Sequence, residues 1–126
     1  MRKKEEDTTA IGGGSHWEGR LHVTGPLLIE GLFEGELRTE NTVQIAESGK
    51  AKTNISAKSV TIGGVLIGNI NSEEKIHLLK SARVLGDLTA PIVQLEEGAV
   101  VHGQIYLGKK PEEAKQMIEE AYRQNP

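Results

Sequence analysis

Six times along this chain a small residue is followed, two positions later, by Leu or Ile. The hooks read Gly19-Arg20-Leu21, Gly35-Glu36-Leu37, Thr53-Asn54-Ile55, Gly68-Asn69-Ile70, Gly86-Asp87-Leu88 and Gly103-Gln104-Ile105. They lie 16, 18, 15, 18 and 17 residues apart. A period near 17 marks a repeat architecture, in which a unit too short to fold alone is stabilised by stacking on its neighbours.

Further columns line up behind the hooks. Four residues before each Leu or Ile stand Trp17, Phe33, Ala51, Leu66, Val84 and Val101. Six before stand Ser15, Gly31, Gly49, Gly64, Ala82 and Ala99, all small. Ahead of these come Ile11, Ile29, Ile45, Ile62, Leu78 and Leu95, and two earlier again Leu27, Val43, Val60, Ile76 and Val93. Two residues after the hooks lie Val23, Thr39, Ala57, Ser72, Ala90 and Leu107. Neighbouring columns are mostly two residues apart, with polar residues such as Glu34, Asn54 and Gln104 between them. Period two means strands with one face inside and one in water. Three short strands and three corners fill one repeat, which is one winding of a β-solenoid. Extra residues near Ala46 to Ser48, Leu79 to Ser81 and Glu96 to Gly98 belong at a corner, and Gly12-Gly13-Gly14 occupies the same place. Six windings at roughly 4.8 Å each make a rod about 29 Å long. Aromatic residues are only 3% of the chain, as expected for a narrow core of aliphatic layers.

The fold class expected is therefore all-β, with residues 11–107 as a β-helix of six windings. Residues 1–10 read as a disordered polar tail. Residues 108–126 read as a tail carrying a helix over 111–124. Pro111 suits the first helical position, Glu112 and Glu113 the positive end of the dipole. Ala114, Met117, Ile118, Ala121 and Tyr122 form one apolar stripe.

The whole ladder, with its Gly-Asn-Ile and Gly-Asp-Leu hooks on one small solenoid between short tails, resembles the bactofilins, which are bacterial cytoskeletal proteins. The resemblance covers about residues 11–107. It implies a right-handed β-helix of triangular section and end-to-end polymerisation into filaments without bound nucleotide. It also implies a scaffolding role in cell shape, polarity and the positioning of cell-wall enzymes. Bactofilin tails are often Pro-rich or basic, and some begin with a short apolar membrane-targeting segment. Here no Phe, Leu or Ile precedes Ile11, so weak or no direct membrane contact is expected.

The residues bound the other functions. A net charge of −3 gives no basic footprint for nucleic acid. With no cysteine there is no disulfide framework, thiolate zinc site or cysteine nucleophile. No apolar run is long enough to span a membrane, and no signal-peptide core follows Met1 to Asp7. The expected location is the cytoplasm or the inner face of its membrane. Gly103 to Lys110 matches G-x-x-x-x-G-K, but Lys110 stands where Ser or Thr must ligate Mg²⁺, and the stretch is a strand of the ladder. His16, His22, His77 and His102 fall between the inward columns, no two in one column, so no metal cage is expected. The serines lack His or Asp partners in a matching column. No cofactor and no catalytic residue is expected. Arg2-Lys3-Lys4 is followed at once by Glu5, Glu6 and Asp7, too few charges to anchor the chain on lipid.

An uncapped solenoid ends in unpaired strand edges and a bare apolar cross-section, both templates for another copy. Trp17 and Phe33 near one end, and Ile105 and Leu107 at the other, are the expected polymerisation interface. Met117, Ile118, Ala121 and Tyr122 are the expected contact of the C-terminal helix, with a partner or with the last winding. The expected partners are further copies of the chain, with cell-wall enzymes or other scaffold clients. Two alternatives stand beside this reading. One is a left-handed β-helix enzyme of the acyltransferase or carbonic anhydrase type, whose repeats are stricter than spacings of 15 to 18. The other is a non-polymerising binding module with ends covered by the tails.

Overall fold

The computed structural model describes residues 8–108 and 111–124. Thirteen strands make six windings around one apolar core, and every strand pairing is parallel. The first winding holds β1 (Thr9–Ile11) and β2 (His16–Val23), the second β3 (Leu27–Ile29) and β4 (Leu32–Thr39). The third holds β5 (Thr42–Ile45) and the first half of β6 (Lys50–Ile62), which runs on into the fourth. The fourth continues through β7 (Val65–Ile67) into β8 (Ile70–Leu78). The fifth takes the end of β8 with β9 (Arg83–Leu85) and β10 (Leu88–Ala90). The sixth is β11 (Ile92–Leu95), β12 (Val100–His102) and β13 (Ile105–Leu107), and α1 (Pro111–Gln124) follows.

The register sorts these strands into three parallel faces. On the first face β1, β3, β5, the end of β6, the end of β8 and β11 succeed one another. On the second, the start of β2 leads through the starts of β4 and β6 to β7, β9 and β12. On the third, the end of β2 leads through the end of β4, the middle of β6 and the start of β8 to β10 and β13. Each inward column thus stacks on itself. Leu27, Val43, Val60 and Ile76 are at most 1% exposed, as are Ile29, Ile45, Ile62 and Leu78. At 25 cal/mol per Å² or so, this repeated aliphatic burial is what holds the windings together.

Two corners explain the small residues. Between second and third faces, Gly19, Gly35, Gly68, Gly86 and Gly103 all have φ between +125° and +155°. A Cβ on Gly35 would lie 1.8 Å from the Gly19 carbonyl oxygen of the winding above. The glycine both supplies the backbone angle and lets the windings touch. Thr53 is the exception in this column. Its φ is not positive, and its hydroxyl bonds to the Asn54 carbonyl instead. The next residues of the hooks build a ladder down the rod. Asn54 Oδ1 accepts from Asn69 N–H (3.0 Å), Asn69 Oδ1 from Asp87 N–H (2.9 Å) and Asp87 Oδ1 from Gln104 N–H (3.0 Å).

Between first and second faces the variable corner lengths resolve into turns. Ser15, Gly49, Ala82 and Ala99 each donate an N–H to the carbonyl three residues back, on Gly12, Ala46, Leu79 and Glu96. The four longer corners are thus β-turns added outside the core. Between third and first faces, buried hydroxyls seal the bend. Thr39 Oγ1 donates to the Gly25 carbonyl (2.7 Å), and Ser72 Oγ donates to the Lys58 carbonyl (2.8 Å). Among the described residues no buried side-chain nitrogen or oxygen lacks a partner.

One boundary needs correction. The expected tail of residues 1–10 lies outside the described residues over 1–7, but Thr9 and Ala10 are strand. They pair with Leu27 and Leu28. Backbone pairing asks nothing of these short side chains, and Ile11 at 7% exposure anchors the strand.

Candidate assembly faces

The two ends of the rod are sheet edges. β1 and β2 are paired on one side only, to β3 and β4, and β11, β12 and β13 only to β8, β9 and β10. The inward columns emerge here into water. In the last winding Leu95 is 50% exposed, Ile105 38% and Leu107 61%, with Val93, Ala99 and Val101 half-buried. In the fourth winding the equivalent Ile62, Leu66 and Ile70 are at most 1% exposed. The same chemistry is sealed mid-rod and open at the end. At the other end Trp17 is 40% exposed, beside half-buried Leu21 and Val23.

Of the four expected interface residues, Trp17, Ile105 and Leu107 lie on these end faces and Phe33 does not. Phe33 is 0% exposed. The Trp17 indole stacks over it, with ring centroids 6.5 Å apart and planes 8° from parallel. The second winding is wholly covered by the first, so Phe33 is core.

The C-terminal helix does not cover the last winding. Its Met117 is 54% exposed, Ile118 67% and Tyr122 83%. Its apolar stripe therefore meets water, and Ala121 on the same stripe is exposed too. Among the described residues no helix is long and apolar enough to cross a membrane.

The outer faces carry the titratable groups. His16 Nε2 sits between two carboxylates, 3.3 Å from Glu18 Oε2 and 3.7 Å from Glu34 Oε1, and their ligand atoms lie within 4.8 Å of one another. Reading the histidines against each other missed this trio. Its signal was the register that stacks Glu18 on Glu34. His77 pairs with Glu96 at 3.2 Å across the first face. Of the stretch resembling a phosphate loop, Gly103 is a hook corner and Ile105 to Leu107 is β13, paired to β10. Lys109 and Lys110 lie outside the described residues.

The family model for bactofilin, described as polymer-forming cytoskeletal, matches residues 9–106. The chain belongs to the bactofilin family. It is 35% identical over 102 residues to bactofilin BacP of Myxococcus xanthus (strain DK1622), covering 81% of this chain and 42% of BacP. It thus spans less than half the length of that relative. It is 28% identical over 102 residues to bactofilin BacO of the same organism, covering 81% of each chain. Its fold matches the solid-state NMR structure of the cytoskeletal bactofilin BacA with a TM-score of 0.72 at 24% identity, covering 82% of this chain and 98% of that one. The parallel solenoid of six windings described above is the bactofilin fold.

Proposed function

We propose that this bactofilin assembles end to end into filaments without bound nucleotide, and that the filament is a scaffold for cell-shape or cell-wall factors in the cytoplasm or at the inner face of its membrane. One observation carries the reading. The inward columns that are sealed mid-rod stand open in the last winding, at Leu95, Ile105 and Leu107, on strands with one edge unpaired. A second copy stacked there would bury that apolar area and satisfy that backbone, which is the cost a free end leaves unmet. The family's polymer-forming, cytoskeletal description supports it.

The test is pelleting and negative-stain microscopy of the nucleotide-free protein. Fibres much longer than one rod are expected. Polymer that forms only with ATP or GTP, or discrete compact particles, would overturn the reading. The enzyme alternative is tested in the same preparation by incubation with acyl-CoA donors, where no turnover is expected.

A further inference from the structure

The outward side chains of the second face change character along the rod. In windings three to six they are Lys50 and Lys52, Val65 and Ile67, Arg83 and Leu85, Val100 and His102. No acid is among them. The nearest acids, Glu47, Asp87, Glu96 and Glu97, sit at the two corners that border the face. Register stacks Ile67 on Leu85 and Arg83 on Val100. Ile67 is 41% exposed, Leu85 48% and Val100 51%. Outward aliphatics on a solenoid contribute little to its own core, so this is an apolar patch with Lys50 and Lys52 stacked at its mid-rod end.

The same chain carries the complementary surface. The α1 stripe of Met117, Ile118 and Tyr122 is exposed. Its flanks hold Glu113 and Glu120 on one side and Lys115 and Glu119 on the other, an acidic balance. The dimensions agree. Ala114 to Ala121 spans about 10 Å of helix at 1.5 Å per residue. Val65 to Val100 crosses two winding steps, also about 10 Å.

We propose that α1 of one molecule docks along the second face of another copy, its stripe on Ile67, Leu85 and Val100 and its Glu119 and Glu120 beside Lys50 and Lys52. This joins rods side by side, independently of the end-to-end contact. A second copy is favoured over the same chain by the exit point of the helix. β13 ends at the corner between third and first faces, which is the corner opposite the second face. Only three residues separate Leu107 from Pro111, and that chain reaches about 13 Å fully extended. α1 instead starts beside the third face of its own rod, where Glu112 lines a shallow groove with Thr89 and Tyr106. Leading away from there, the stripe stays exposed and does not lie on its own second face, which is across the triangle from the corner where β13 ends.

The experiment uses the full chain with a photoreactive benzoylphenylalanine in place of Ile118. Protein of natural isotope content is mixed with ¹⁵N-labelled protein, irradiated, digested and analysed by mass spectrometry. Mixed-isotope cross-links to peptides containing Ile67, Leu85 or Val100 are expected. Cross-links only within one chain, or only to other faces, would overturn the proposal. Lys50→Glu with Lys52→Glu, both exposed, should lower the yield about five- to ten-fold, as loss of two surface pairs does. Adding Glu119→Lys and Glu120→Lys should restore it, and failure to restore it counts against the docking. The same cross-links should survive Leu107→Arg, which separates this contact from end-to-end assembly. If vesicles of phosphatidylglycerol and phosphatidylcholine bind through Leu85 and abolish the cross-link, the face is a lipid surface and the proposal falls.

Discussion

Replacing Gly35 by Ala tests how closely the windings approach. The residue sits at φ +135°, where an added Cβ would come 1.8 Å from the Gly19 carbonyl oxygen, 2.8 Å from its carbon and 3.0 Å from its nitrogen. None of these is a side chain that could swing away. The backbone angle alone costs a non-glycine residue about 1–3 kcal/mol. Relieving the overlap means separating β2 from β4 at the corner, so a total of about 3–5 kcal/mol is expected. Gly19→Ala is the matched control. Its φ is +125°, but nothing lies within 4 Å of its Cβ because no winding stands above it. Only the angle term applies there. Urea unfolding followed by far-UV circular dichroism, at protein concentrations too low for assembly, reads the difference. With a slope of about 2 kcal/mol per M, Gly35→Ala should lower the midpoint by about 2 M and Gly19→Ala by about 1 M. Equal shifts for the two variants would refute the argument that winding-to-winding contact, rather than backbone angle, fixes glycine at the hooks.

Leu107→Arg and Trp17→Arg should leave the circular dichroism spectrum intact and remove sedimentable polymer. Each side chain is already at least 40% exposed, and the arginine would be buried only on assembly. Phe33→Arg and Leu66→Arg should unfold the chain at room temperature, since both positions are 0% exposed and a buried unpaired charge costs several kcal/mol. Asn69→Ala should cost about 1 kcal/mol in the same urea assay by removing the acceptor of the Asp87 N–H, whereas an unchanged midpoint would show that water replaces it.

Much of this fold is legible in the sequence because a solenoid repeats one set of contacts six times. Each inward column is sampled independently in every winding, so a polar exception such as Thr39 or Ser72 does not hide the pattern. The corner lengths were readable for the same reason, since a β-turn can be added outside the core without moving the columns. What the repeat does not encode is position along the rod. Phe33 belongs to the same column as Trp17, and only the stacking of the indole over it makes one residue core and the other surface. The first two residues of β1, Thr9 and Ala10, are not legible because their short side chains carry no inward signature and they are held by backbone pairing. The His16 trio and the basic, aliphatic second face are outer-surface features. They depend on which outward residues stack, and become visible only once the register is fixed.

End-to-end stacking of windings is the central claim, and the axial repeat of the polymer tests it most directly. Cryo-electron micrographs of the nucleotide-free protein should show long fibres whose power spectrum carries a layer line near 4.8 Å along the fibre axis, the spacing of one winding on the next. Discrete particles, or fibres whose strand spacing runs across the axis rather than along it, would contradict the account.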